Sequence, residues 1–237
     1  MDLQLKGKTC LVTGSSSGIG ESVAKAIAAE GARVAIHGRN AERANAVAED
    51  IRRTGGDAIV ILADLSSNEA ADKIASEVLA KFGVVEILVN NAGHGNPRGP
   101  VDWFDTTEED FLSLYNENVV SSVRMIRRLV PKMKERQWGR VIMTGSVGAV
   151  QPVSIIPDYQ ASKAAMVNFT VSLSKNLART GVTVNCITPG PIMTPLQRDF
   201  LRGLSKNFGW GDDDAVIEKR AAEEFFQITL DKLGTPE

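Results

Sequence analysis

Thr9-Cys10-Leu11-Val12-Thr13, followed at once by Gly14-Ser15-Ser16-Ser17-Gly18-Ile19-Gly20, decides how this chain folds. The first five residues are apolar or β-branched and predict a short buried strand. Beyond the glycines, Val23, Ala24, Ile27 and Ala28 recur at helical spacing until Gly31, which has the position of a C′ residue. Strand, glycine turn and helix, in that order, are the context a dinucleotide site requires. The glycines let backbone approach a pyrophosphate, and the helix start offers unpaired N–H groups at a positive dipole end. The spacing is G-x-x-x-G-x-G rather than G-x-G-x-x-G. A glycine turn can also be a plain tight connection, so the residues downstream must decide.

They repeat the alternation. Arg33–His37 reads as a second strand, Ala41–Thr54 as a helix, Ala58–Leu62 as a third strand, Asn68–Phe82 as a helix and Val85–Val89 as a fourth strand. The second strand ends in Gly38-Arg39, where a dinucleotide fold often carries an acid for the ribose 2′-hydroxyl. A small residue leaves room there and an arginine pairs with a 2′-phosphate, which favours NADP, with NAD possible. The alternative is an exposed arginine without a ligand. Asp64-Leu65 closes the third strand, where Asp64 meets an adenine amino group or caps the next helix. Asn90-Asn91-Ala92-Gly93 ends the fourth, either approaching a cofactor closely or building a turn.

In the second half Thr106 and Glu109 predict a capping box for a long helix running to Val130. Its inward face is Phe111, Leu114, Tyr115, Met125, Ile126 and Leu129, and Asn118 falls on that face. A buried amide there must find partners, in a core hydrogen bond or in a site. Val141-Ile142-Met143-Thr144 predicts a fifth strand delivering Ser146, and a helix from Tyr159 runs through Leu177 toward Gly181. Tyr159 and Lys163 are four apart and share a helical face. A phenol titrates near 10, and a nearby ammonium favours its phenolate, which brings the pair toward a useful range. Ser146 could hold a carbonyl oxygen beside the phenol, although a Tyr and a Lys four apart also meet by chance on many helices. Val182–Ile187 is the sixth strand, broken by Thr188-Pro189-Gly190-Pro191. The stretch beyond it, rich in aromatics and charges, is either a mobile lid at about 191–230 or an ordinary surface helix pair.

Alternating strands and helices predict a single-domain α/β fold over 1–237: a Rossmann-like, doubly wound parallel sheet in three layers, α/β/α. Gly14–Gly20, Arg39, Asp64, Asn91, Ser146 and Pro189–Thr194 all come after strand ends and so converge on one edge of the sheet. The net charge of −2 argues against nucleic acid or an anionic membrane surface as partner. Cys10 and Cys186 read as core filler, and His37 and His94 lie in no metal-ligand spacing. Without a signal-peptide h-region or a long apolar span, a cytoplasmic enzyme is the default expectation.

Thr13-Gly14-Ser15-Ser16-Ser17-Gly18-Ile19-Gly20, Asn90-Asn91-Ala92-Gly93, Asn118, Ser146, Tyr159-x-x-x-Lys163 and Pro189-Gly190 together resemble the short-chain dehydrogenase/reductase family, nearest its 3-oxoacyl-carrier-protein reductase-like and sugar- or steroid-alcohol members. The resemblance implies a catalytic tetrad of Asn118, Ser146, Tyr159 and Lys163. Tyr159 would be the general acid/base as hydride moves between nicotinamide and a carbonyl or secondary alcohol. Ser146 would hold the substrate oxygen, Lys163 would bind the ribose and stabilise the phenolate, and Asn118 would hold a relay water. The implied cofactor contacts are Gly14, Ser16, Ser17, Gly18, Ile19, Gly20, Arg39, Asp64, Leu65, Asn91, Ala92, Gly93, Tyr159, Lys163, Pro189, Gly190, Ile192 and Thr194. A homotetramer and a small-molecule partner are implied with them. A non-catalytic dinucleotide-binding regulator or scaffold of the same fold is the alternative. Finally, Lys232–Glu237 resembles the start of a segment leading to one more helix and strand. The expectation is therefore a natural chain that runs further, against a shorter protein whose lid, Phe200 to Leu230, covers the sheet edge.

Overall fold

The computed structural model describes residues 2–230 and 232–236; Met1, Asp231 and Glu237, with the expectation attached to the chain's last residue, lie outside it. Six strands form one parallel sheet: β1 (Thr9–Val12), β2 (Arg33–Gly38), β3 (Asp57–Leu62), β4 (Ile87–Asn90), β5 (Gly139–Thr144) and β6 (Val182–Ile187). Their order, β3-β2-β1-β4-β5-β6, runs outward from β1 and then returns to its other side at β4. Parallel neighbours need crossovers, supplied by α1 (Gly18–Ala29), α2 (Ala41–Arg53), α3 (Asn68–Phe82), α4 (Glu108–Tyr115) with α5 (Ser121–Glu135), and α6 (Pro157–Asn176).

Alternation along each strand divides the core in two. Cys10, Val12, Val34 and Ile36 face α1 and α2 through Ala24, Ala28, Val47 and Ile51. Leu11, Ala35, Leu88 and Val141 face α3, α5 and α6 through Ile74, Val78, Met125, Leu129 and Met166. Three layers result, as expected. Burial pushes the Cys10 thiol up. Cys186 is only half-buried because β6 is an edge strand, but it still packs against the main core.

The long helix is not continuous. A π-helical segment, Asn116–Val120, separates α4 from α5, and the helix ends at Glu135 rather than Val130. A π segment adds a residue to the turn and so rotates the helix on its N-terminal side relative to the helix on its C-terminal side. Tyr115 consequently faces out, 47% exposed, instead of joining Leu114 in the core. The capping box also lies one residue later than expected: Thr107 and Asp110 form it, while the Thr106 hydroxyl donates to the Asp102 carbonyl. After β6 come α7 (Pro195–Phe208), α8 (Asp214–Arg220) and a further π-helical segment, Ala221–Phe225. Leu201, Leu204, Trp210, Ile217, Ala221, Ala222 and Leu233 give this region a small core of its own. No helix among the described residues is long and apolar enough to cross a membrane.

Candidate active site

The reversal of strand order between β1 and β4 opens a crevice at their carboxyl ends, the place where such sheets bind ligands. One wall is the glycine turn, held by polar groups around it. The buried Thr13 hydroxyl accepts from the N–H groups of Asn91 and Ala92, both at 3.0 Å. Asn91 Nδ2 donates to the carbonyls of Thr13 and Gly14, both at 3.1 Å. Ser15, fully buried, donates to the Val12 carbonyl and accepts from the His37 N–H. His37 Nδ1 accepts from the Gly14 N–H at 3.1 Å, so the ring carries its proton on Nε2. Burial lowers the His37 pKa to about 4, which keeps that arrangement at neutral pH. Thr13, Ser15 and His37 were not singled out as site residues; a polar side chain inside or ending an apolar strand was the available signal.

A Cβ at Gly20 would stand 2.3 Å from the Gly14 carbonyl, so the helix can approach the turn only through glycine. At Gly38 the room expected for a phosphate is taken by Ser16, whose Oγ would lie 2.6 Å from an added Cβ. Ser17 caps α1 in extended conformation with no side-chain hydrogen bond to the helix. The N–H groups of the first turn therefore keep their capacity for an anion. Arg39 and Asp64 are both exposed and only loosely paired, at 3.7 Å, and Asp64 does not cap α3, a task done by Ser67. The Leu65 side chain is buried in the core, leaving only its main chain to face the crevice. These features fit a phosphate-bearing dinucleotide: a glycine cradle, open helix N–H groups and an exposed, loosely held guanidinium.

The opposite wall carries the tetrad candidates. Ser146 lies just beyond β5, and its loop is tied to the loop after β6, Gly145 N–H donating to the Ile187 carbonyl and Val147 N–H to that of Pro189. Asn118 sits in the π segment, fully buried. Its Oδ1 accepts from the His94 N–H and its Nδ2 donates to the His94 carbonyl and the Ser162 hydroxyl. Gly93 passes directly against this amide. Lys163 is 4% exposed and donates to the Thr144 carbonyl at 2.8 Å, with Met166 Sδ at 3.7 Å. An ammonium has three donors, so capacity remains for a ribose. Burial lowers the Lys163 pKa to about 8.

The Lys163 ammonium stands 5.7 Å from the Tyr159 ring centroid. The expected lowering of the phenol is not seen. Desolvation raises the Tyr159 pKa, partly opposed by the Ser146 hydroxyl, because the lysine is itself desolvated and turned to Thr144. On the lid side, Thr194 caps α7, and its methyl would lie 3.2 Å from a Cβ at Gly18. Ile192 bridges to Gly234. Pro189, Ile192 and Thr194 thus line one path from the tetrad to the glycine turn, while a Cβ added at Gly190 would meet open space.

The family model for short chain dehydrogenases matches residues 8–204. The chain belongs to the short-chain dehydrogenase family. These proteins are oxidoreductases, and the match spans both walls of the crevice. This short-chain dehydrogenase is 36% identical over 206 residues to the uncharacterised oxidoreductase YvaG of Bacillus subtilis, covering 86% of this chain and 75% of that one. It is similar to L-sorbose reductase from Gluconobacter frateurii, solved with NADPH and L-sorbose, at 32% identity and a TM-score of 0.91 over 100% of this chain and 88% of that one. A 3-oxoacyl (acyl-carrier-protein) reductase from Agrobacterium tumefaciens, solved with NADP, gives 31% identity and a TM-score of 0.84 over 98% and 84%.

Proposed function

We propose that this short-chain dehydrogenase is an NADP-preferring reductase of small carbonyl compounds, or oxidant of the matching secondary alcohols, with Tyr159 as general acid/base. The observation that carries the reading is the meeting of Ser146, Tyr159 and Lys163 beside the glycine turn, with Lys163 holding unused donor capacity. The nicotinamide, when bound, supplies the hydride chemistry. The protein positions and polarises. Ser146 donates to the substrate oxygen, and the Tyr159 hydroxyl gives that oxygen its proton in reduction or takes it in oxidation. Lys163 binds a ribose hydroxyl and, drawn toward the phenol, lowers its pKa from the raised value it has without cofactor. Asn118 holds the route by which the proton returns to solvent. Arg39 pairs with the 2′-phosphate. Similar structures solved with NADPH and with NADP support the cofactor assignment. We further propose a cytoplasmic homotetramer, with exposed apolar side chains such as Leu112 on α4 and Val171 on α6 meeting other copies.

The test is Tyr159→Phe, with consumption of NADPH monitored across a panel of ketones that includes L-sorbose. Turnover should fall by roughly 10²- to 10⁴-fold, the usual range for a lost acid/base group, while NADPH affinity is unchanged. Activity within a few-fold of wild type would remove Tyr159 from the mechanism. A wild-type protein that binds NADPH and reduces nothing in the panel would favour the regulator.

A further inference from the structure

The helix that carries Tyr159 begins under strain. Its N-cap, Ile156, stands at φ 57° and ψ 43°, in the left-handed region. Among the described residues five non-glycine positions have positive φ, and Ile156 is the only β-branched one. A branched side chain adopts that conformation only where its surroundings impose it. Here they do. The Ile156 N–H donates to the Val101 carbonyl at 3.0 Å, and Ile155 bridges to Asp102. Gln160 Nε2 reaches back to the carbonyls of Val153, Ile155 and Ile156, while its Oε1 accepts from the Val153 N–H.

The deepest of these ties is a carboxylate next to the tyrosine. Asp158 is 1% exposed. Its Oδ1 accepts from the Tyr159 N–H and its Oδ2 from Asn96 Nδ2, both at 2.8 Å. No lysine, arginine or histidine pairs with it among the described residues. A buried carboxylate with only neutral donors is a costly way to fill space. Asn96 is buried as well, and its Oδ1 accepts from the Arg98 N–H at 2.9 Å. Two residues earlier on the same segment, His94 holds the Asn118 amide through both of its main-chain groups. Residues 94–96 therefore join Asn118 to the first turn of α6.

We propose that Asn96 and Asp158 are a positioning pair for Tyr159: they lock the strained start of α6 to the segment that holds Asn118, and so fix the phenol relative to the tetrad. This rests on the reading of Tyr159 as acid/base.

Counting donors gives the test. In Asp158→Asn, one amide oxygen must serve the Tyr159 N–H, which leaves two NH2 groups facing each other. Turning Asn96 over would relieve them only by losing the Arg98 N–H. In Asn96→Asp two carboxylates face each other. In the exchange, Asn96→Asp with Asp158→Asn, the loop carboxylate accepts from the Arg98 N–H and from the helix amide, whose oxygen still accepts from the Tyr159 N–H. Every polar atom is paired again.

The chain has two tyrosines, and the other, Tyr115, is exposed. With Tyr115→Phe as background, carbon-13-labelled tyrosine reports on Tyr159 alone, whatever the substrate. Asp158→Asn should shift and broaden that resonance and lower kcat by roughly ten- to a hundredfold, as small misplacements of reacting groups do, with NADPH affinity unchanged. The exchange should restore both resonance and kcat. If Asp158→Asn does not fold, Asn96→Ala, which leaves the Tyr159 N–H its acceptor, takes its place. A wild-type resonance and kcat in the single variants, or an exchange that folds but restores neither, overturns the pair's role. The Tyr159→Phe control separates the two ideas. If it is inactive while Asp158→Asn is normal, only the positioning pair falls; if it is active, both fall.

Discussion

β2 is hydrogen-bonded on both sides, to β1 and β3, and almost every residue on it is buried; β6 pairs only with β5 and leaves Thr183, Asn185 and Ile187 exposed. The same difference extends to the part of the site each half carries. The glycine turn belongs to the main core, held by Thr13, Ser15 and His37 through groups that also end strands. The region after β6 packs mainly on itself, around Leu204 and Trp210, and meets the rest through side chains that include Ile155 and, against Gly203, Pro100. On the proposed function a cofactor common to many reactions would be met by a turn whose supporting side chains also tie the strand ends together. On the same reading the substrate would be met by a module with a small core of its own.

The largest effect should come from cutting each core separately. Leu88 and Leu204 are both fully buried, one in the sheet and one in the module after β6. Replacing either by alanine removes comparable apolar contact, about 2–5 kcal/mol by the usual range for such truncations. Leu88→Ala should lower the main thermal transition and NADPH affinity together. Leu204→Ala should loosen 195–225, seen as faster hydrogen exchange there, raise KM for the carbonyl substrate and leave NADPH affinity alone. If both variants lower the same single transition and weaken NADPH equally, the two regions are one cooperative unit and the contrast fails.

Legibility in the sequence does not follow that division. Asn68–Phe82 and Val182–Ile187 were readable to the residue, because a capping serine, apolar periodicity and breakers agree there. The capping box was misplaced because Thr106 and Thr107 each have an acid three residues later. The choice is made by tertiary contacts: Asp102 takes the Thr106 hydroxyl, and Arg98 pairs with Asp110. The π segment has no sequence signal, so Tyr115 was assigned to the wrong face. The tetrad candidates were legible as motif and spacing. The environment of Tyr159 was not, since it depends on where Lys163 points and on Asp158, whose buried partner Asn96 is 62 residues away.

Next in size is a stability cost placed in the site. Lys163 has an ordinary pKa of 10.5 that burial lowers to about 8 in the folded protein. Below about 8 the lysine is charged in both states and the folded state bears the whole burial cost, about 3 kcal/mol. As pH rises from about 8 to 10.5 the folded lysine loses its proton first, the unfolded chain binds more protons, and stability rises. Lys163→Met should therefore raise the melting temperature of the cofactor-free protein at neutral pH, with a gain that shrinks across that window. The same variant should lose turnover and bind NADPH more weakly. A melting temperature that falls at every pH would mean that the bond to Thr144 outweighs the buried charge.

The smallest effect tests how far the cofactor half is adjustable. Thr13, Ser15 and His37 beneath the glycine turn are buried and committed, but Arg39 is exposed and its partner Asp64 stands 3.7 Å off. An exposed ion pair at that distance contributes little to folding, so Arg39→Ala should leave stability within about 1 kcal/mol of wild type. A charge-assisted bond to a 2′-phosphate is worth roughly 1.5–3 kcal/mol, or about tenfold and more in affinity. KM for NADPH should rise by that factor while KM for NADH stays put, and high salt should narrow the difference because the contact is open to solvent. Asp64→Asn should do the reverse on a smaller scale, freeing the guanidinium and removing a carboxylate that would face the phosphate. Equal changes for the two cofactors would show that the preference, whatever its sign, is set by the buried turn and not by its one exposed arginine.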